Sequence, residues 1–176
     1  MKSTYSCIGA SMAMALFAFS AQAQSSNVVG NNSDWFVFEE TEPNKQCWSV
    51  SSPKETLNTD TAGRPKAVRR GDIMLFVSYA PAAGVDGQVS FVGGYPFAGG
   101  SDVTMEISGN SYNLFTDGET AWAKTPQDDS QIIAAMKRGA EVTLTGRSSR
   151  DTVTKDTFSL MGFTASVDDA SQRCAQ

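Results

Sequence analysis

The chain has 176 residues, 40% of them hydrophobic, with 19 acidic against 14 basic side chains and a net charge of −5. That length suits one domain around a single core, and the acidic balance argues against nucleic acid as a partner, because a phosphate backbone repels it outside any local basic patch. Histidine is absent, which removes the commonest general base, the commonest metal ligand and the usual switch near neutral pH.

The first residues fall into three zones: a basic start at Lys2, an apolar run from Cys7 to Phe19, and the small-residue triplet Ala21-Gln22-Ala23. This is the pattern of a secretory signal peptide over residues 1–23, with cleavage expected after Ala23. The run is shorter than the stretch of about 20 apolar residues a stable membrane span needs, and no second long apolar run follows, so no transmembrane segment is expected in the mature protein. Cys7 opens the run instead of following it, which argues against a lipid anchor. Cleavage takes Lys2 and no acid, leaving a net charge of −6.

Two cysteines remain, Cys47 and Cys174. In a chain bound for an oxidising compartment they are expected to form one disulfide. The chain-entropy argument gives a loop of that length about 4–5 kcal/mol of stabilisation.

In chain order, the polar stretch from Gln24 to Ser33 reads as a disordered lead-in, and residues 34–176 as a single domain. Asp34–Phe38 and Cys47–Val50, rich in aromatic and β-branched side chains, read as strands of a hairpin about the turn formers Glu42-Pro43-Asn44. Residues 53–71 read as a long loop. The apolar run Ile73–Tyr79 reads as a central strand buried on both faces, and Val89–Val92 as another, ended by Gly93-Gly94. Val103, Met105 and Ile107 alternate with polar residues, and Gly109-Asn110 turns the chain into Tyr112–Phe115, a hairpin signal. Asp117-Gly118 marks a second turn, into Ala121–Ala123.

One helix is well marked over 126–138: Thr125 as N-cap, Pro126 at the first position, Asp128 and Asp129 in the first turn, Lys137-Arg138 before Gly139 at the end. Its expected buried stripe is Ile132, Ile133 and Met136. Val142–Thr145 and Val153–Leu160 alternate about the turn Ser148-Ser149-Arg150-Asp151 and form a last hairpin. A second helix over about 162–173, with Phe163, Val167 and Ala170 on one face, leads to Cys174. About eight to ten short strands with one or two helices predict a mainly β fold, either a β-sandwich or a partly open barrel.

Four patterns could carry chemistry. Ser51-Ser52-Pro53-Lys54 matches the Ser-x-x-Lys of serine β-lactamases, but that pair must sit on a helix, and here Pro53 follows a strand with no Lys-Thr-Gly or Ser-Asp-Asn partner. Arg70-Gly71-Asp72 is an adhesive tripeptide only at an exposed loop tip, and it abuts an apolar strand. Asp117, Glu119, Asp128 and Asp129 lack the ligand spacing of a calcium loop and fit a hairpin turn and a helix N-terminus. Paired carboxylates of a hydrolase would show only in their separation. No catalytic residue, metal ligand or cofactor-binding residue is assigned. The glycine-aromatic stretch with Phe91, Tyr95 and Phe97, joined by Trp122, is the candidate partner surface, gripping a sugar, a peptide strand or a protein; core packing at a strand end is the competing reading.

Asp-Trp-x-Val-Phe from Asp34, Cys-Trp-Ser-Val from Cys47, Arg-Arg-Gly-Asp from Arg69, Val-Ser-Phe-x-Gly-Gly-Tyr-Pro-Phe from Val89, Leu-Phe-Thr-Asp-Gly-Glu-x-Ala-Trp from Leu114, Leu-Thr-Gly-Arg-Ser-Ser-Arg from Leu144 and Asp-Thr-Phe-Ser-Leu-x-Gly-Phe-Thr-Ala from Asp156 follow one another up to Cys174. In that order they resemble the invasion-associated locus B family of alphaproteobacteria. The resemblance implies an envelope protein with no catalytic residues to carry over, and both cysteines fit the family pattern. Its founding member is linked to red-cell invasion, whereas many relatives look like periplasmic or envelope proteins of free-living bacteria. The expectation is a noncatalytic periplasmic module that binds an envelope protein or a cell-wall or sugar component. A surface adhesin is the alternative and a hydrolase the third reading.

Overall fold

The computed structural model describes residues 27–175; the expected signal peptide over residues 1–23, residues 24–26 and Gln176 lie outside them. Eleven strands form one antiparallel sheet: β1 (Val28–Asn32), β2 (Trp35–Glu40), β3 (Gln46–Ser51), β4 (Glu55–Thr59), β5 (Met74–Ala80), β6 (Val85–Val92), β7 (Asp102–Ile107), β8 (Asn110–Asp117), β9 (Thr120–Trp122), β10 (Glu141–Arg147) and β11 (Val153–Ser159). The order across the sheet is β1-β2-β3-β5-β6-β9-β8-β7-β10-β11-β4. The sheet does not close, so of the two expected architectures it is the open one. It curls until β2 and β11 meet without a ladder: the Trp35 indole N–H donates to the Ser159 carbonyl at 2.9 Å, and the Asp34 amide reaches Met161.

Alternation along each strand fills the inside. Trp35, Val37, Leu75, Val77, Val89, Phe91, Val103, Met105, Leu114, Val142, Leu144 and Phe158 are all buried and belong to one hydrophobic cluster. Two helices complete it. α1 (Pro126–Met136) starts at Thr125, whose hydroxyl accepts the Asp128 amide, and buries Ile132 and Met136 with Ile133 half-covered. Its helical residues stop at Met136, and Lys137 caps it. α2 (Phe163–Cys174) lies against β1, β2 and β3, with the Phe163 ring edge-on to Trp35 at 4.8 Å. Gly162 leads into α2 at φ +87°, and a Cβ there would stand 1.9 Å from the Asn32 carbonyl oxygen, so only glycine fits. The disulfide between Cys47 and Cys174 is formed, joining β3 to the end of α2 with Cα atoms 5.9 Å apart.

Three expectations need correction. Val28–Asn32, read as part of a disordered lead-in, pairs with β2 as the edge strand β1. Residues 55–59, read as loop, form the opposite edge β4 along β11. Those two additions raise the strand count to eleven. The β5 run is buried on one face only: Leu75, Val77 and Tyr79 point in, whereas Met74, Phe76 and Ser78 are half-exposed on a face that no second layer covers.

Candidate functional site

Because paired residues on neighbouring strands share a face, the ladder brings distant aromatics together on the outside of the sheet. Phe36 pairs with Val50, Val50 with Phe76, Phe76 with Ser90, Ser90 with Trp122 and Trp122 with Phe115. This row crosses six strands. The next row holds Phe38, Trp48, Ser78 and Gln88, and on the other side Met74, Val92 and Thr120. Phe36 and Phe115 are each 41% exposed, and edge strand β1 adds Val28 and Val29 at 40% each. Phe115 and Trp122 stack with ring centroids 5.7 Å apart. The residues named in these three rows are uncharged, and acids border them at one end, where Asp117 pairs with Thr120 and Asp102 with Phe115; large apolar side chains on an uncovered sheet face mark an interaction surface more often than a monomer's ordinary exterior.

Of the four residues expected to form a partner surface, the structure places only Trp122 on this face. Phe91, Tyr95 and Phe97 are buried. Phe91 packs edge-on against Phe158 at 6.1 Å, and Phe97 against Tyr95 at 4.9 Å. Phe97 is accommodated by two glycines, Gly93 just past the end of β6 and Gly146 in β10: a Cβ on Gly93 would lie 2.7 Å from its ring, and one on Gly146 2.9 Å. Those three aromatics are therefore core residues, which corrects the expectation. The Asp117–Glu119 turn supports the same segment, with the Glu119 carbonyl accepting from the Gly93 amide and the Gly118 carbonyl from the Phe97 amide.

The motifs resolve as packing. The Ser51 hydroxyl donates to the Asp34 carbonyl, and the Lys54 ammonium pairs with the Asp34 carboxylate at 2.5 Å, so no lysine activates that serine. Arg70 cannot splay from Asp72 toward an adhesion receptor. Its guanidinium, only 6% exposed, grips both carboxylate oxygens of Asp156 at 2.6 and 2.7 Å and donates twice to the Gly93 carbonyl. It also lies over the Tyr95 ring at 5.0 Å from the centroid. Burial pushes the Asp156 carboxyl above its ordinary range, the paired guanidinium offsetting part of that, and burial likewise raises the Tyr95 hydroxyl, which bonds Thr154 at 2.5 Å. Asp129 is buried and accepts the Val89 amide at 2.7 Å, tying α1 to β6. Among the described residues no group of three or more acidic, cysteine or histidine side chains converges to hold a metal ion, and no helix is long and apolar enough to cross a membrane.

Above Arg70 opens a cleft of about 490 Å³, bounded by residues 66–70, the Gly94-Tyr95-Pro96 segment and the Ser148–Arg150 turn. Lys66, Arg69 and Arg150 stand exposed around it. The Ser148 hydroxyl accepts the amides of Arg150 and Thr152 and so fixes the turn that presents Arg150. Nothing local in the sequence joins Arg150 to Lys66 and Arg69; the β4–β11 pairing does.

The open, curled antiparallel sheet, its disulfide clamp and its two helices define a mainly β protein. The profile of the family described as "Invasion associated locus B (IalB) protein" matches residues 35–171, and the chain belongs to that family. A solved structure, described as invasion associated protein B from Bartonella henselae, shares the fold with a TM-score of 0.55 at 11% identity, covering 84% of this chain and 98% of its own. No curated protein matches the chain significantly.

Proposed function

We propose that the mature protein is a noncatalytic binding module of the periplasm that docks a protein of the cell envelope on the outer face of its sheet. The observation behind this reading is the uncharged row Phe36, Val50, Phe76, Ser90, Trp122 and Phe115 across six adjacent strands. Aromatic and methionine side chains without charge are the composition of a protein–protein interface core, and a protein partner matches it better than a bare polysaccharide, which would want hydrogen-bonding groups between the rings. At the end of this face, edge strand β1 offers unpaired backbone groups to the same partner.

Photo-crosslinking in living cells tests the reading. A benzoylphenylalanine replacing Ser90, at the middle of the row, is expected to give one adduct with an envelope protein in the periplasmic fraction, and the same probe at Lys155 is expected to give none of it. Adducts only with a second copy of the chain, only with glycan, or equally from both positions would overturn the docking claim. Labelling of the protein on intact cells would overturn the periplasmic placement and move it to the cell exterior as an adhesin.

A further inference from the structure

The cleft above Arg70 is basic in an acidic protein. Eight basic side chains have a carboxylate within ion-pair distance: Lys45, Lys54, Arg64, Arg70, Lys124, Lys137, Arg147 and Arg173. Among the described residues Lys66, Arg69, Arg138, Arg150 and Lys155 have none, and three of those five, Lys66, Arg69 and Arg150, surround this one cleft. The Lys66 ammonium reaches the Arg150 carbonyl at 3.4 Å, which brings these two residues together beside the cleft. The floor cannot neutralise them, since Asp156 is wholly committed to Arg70. Glu119 is the single carboxylate in the lining.

Three exposed cations gathered from two chain segments around one lining carboxylate leave a net positive field at the cleft, which an anion entering it would complete. The remaining walls are the hydroxyl-bearing Ser149 and Thr152 and the apolar Val68 and Pro96, which fit a compact body with hydroxyl groups and an apolar face. The volume lies within the range of small-ligand sites, about 300–1,000 Å³, enough for one or two sugar rings. We infer that this cleft is a binding site for an anionic saccharide, its carboxylate or phosphate held by Lys66, Arg69 and Arg150 and its ring resting against Val68 and Pro96. The site is separate from the aromatic face and does not depend on it.

Calorimetric titration of the mature, oxidised protein with digalacturonate, glucose 1-phosphate and neutral glucose tests this. One or both anionic sugars are expected to bind, and which one does separates carboxylate from phosphate recognition; glucose is expected not to. Binding should weaken with added salt, and Lys66→Gln with Arg150→Gln should weaken it by roughly tenfold or more, as expected when charge-assisted hydrogen bonds are lost. Arg138→Gln with Lys155→Gln, removing the same charge elsewhere, should leave it unchanged. Equal binding of glucose, an equal loss in both double variants, sulfate competing as well as either sugar, or no binding of any sugar would each overturn the assignment.

Discussion

Arg70 shows how one residue decides between two readings of the same tripeptide. A guanidinium that is 6% exposed and bonded to a fully buried carboxylate belongs to the interior, and removing one partner of such a pair leaves an uncompensated buried charge. Arg70→Ala is therefore expected to cost about 3–5 kcal/mol in urea unfolding, while replacing both partners with apolar residues (Arg70→Met with Asp156→Leu) should recover most of it. A single-variant loss under about 1 kcal/mol would refute the role. Tyr79 makes a second case at this scale. Burial, then the charges of Asp86 and Asp168, push its hydroxyl up to about 12, against about 10 in an unfolded chain. The unfolded state therefore ionises first, and stability should fall as pH rises from about 10 toward 12, with no contribution from this group below about 9. Tyr79→Phe should flatten that alkaline decline in urea melts at stepped pH, with Tyr95 supplying a remainder; an unchanged slope would contradict the assignment.

At the scale of elements, what was legible in the sequence followed from local chemistry. The N-cap of α1 and the Ser148–Asp151 turn are each specified by neighbouring residues and formed where expected, while the hairpin turn at Gly109 falls one residue earlier than expected, over Ser108-Gly109, with Asn110 opening β8. β1 and β4 were not legible because edge strands need no apolar alternation: Glu55, Thr56 and Asn58 become a strand only when β11 supplies its ladder. The β5 run misled for the opposite reason. A strand apolar on both faces resembles one buried on both, and only the absence of a covering layer distinguishes them. The candidate partner surface failed similarly, since the space that receives Phe97 depends on Gly146, a glycine far away in the chain. The disulfide links elements that the sheet alone does not, β3 and the end of α2. Cys47→Ser with Cys174→Ser should lower stability by about 2–5 kcal/mol and speed amide exchange in α2 before the sheet; uniform exchange through the molecule would argue that α2 is held without the clamp.

Across the whole molecule, the family and the fold class were readable because motifs and alternation survive in one dimension, whereas both surfaces emerge only from pairing order. Phe36 and Phe115 have four strands between them in the sheet and lie far apart in sequence, yet one row joins them. The inside of the curled, open sheet holds the core, and the outer face carries the aromatic row. If the aromatic face serves binding and not folding, polar replacements there should divide the two properties. The decisive measurement is the Ser90 photo-crosslink repeated in a Phe115→Ser, Trp122→Ser background, with the unfolding midpoint measured alongside. The account predicts a midpoint shifted by no more than about 1 kcal/mol of stability, as for surface substitutions, together with loss of the envelope-protein adduct. An adduct retained at full yield, or a collapse of stability comparable to a core truncation, would contradict it.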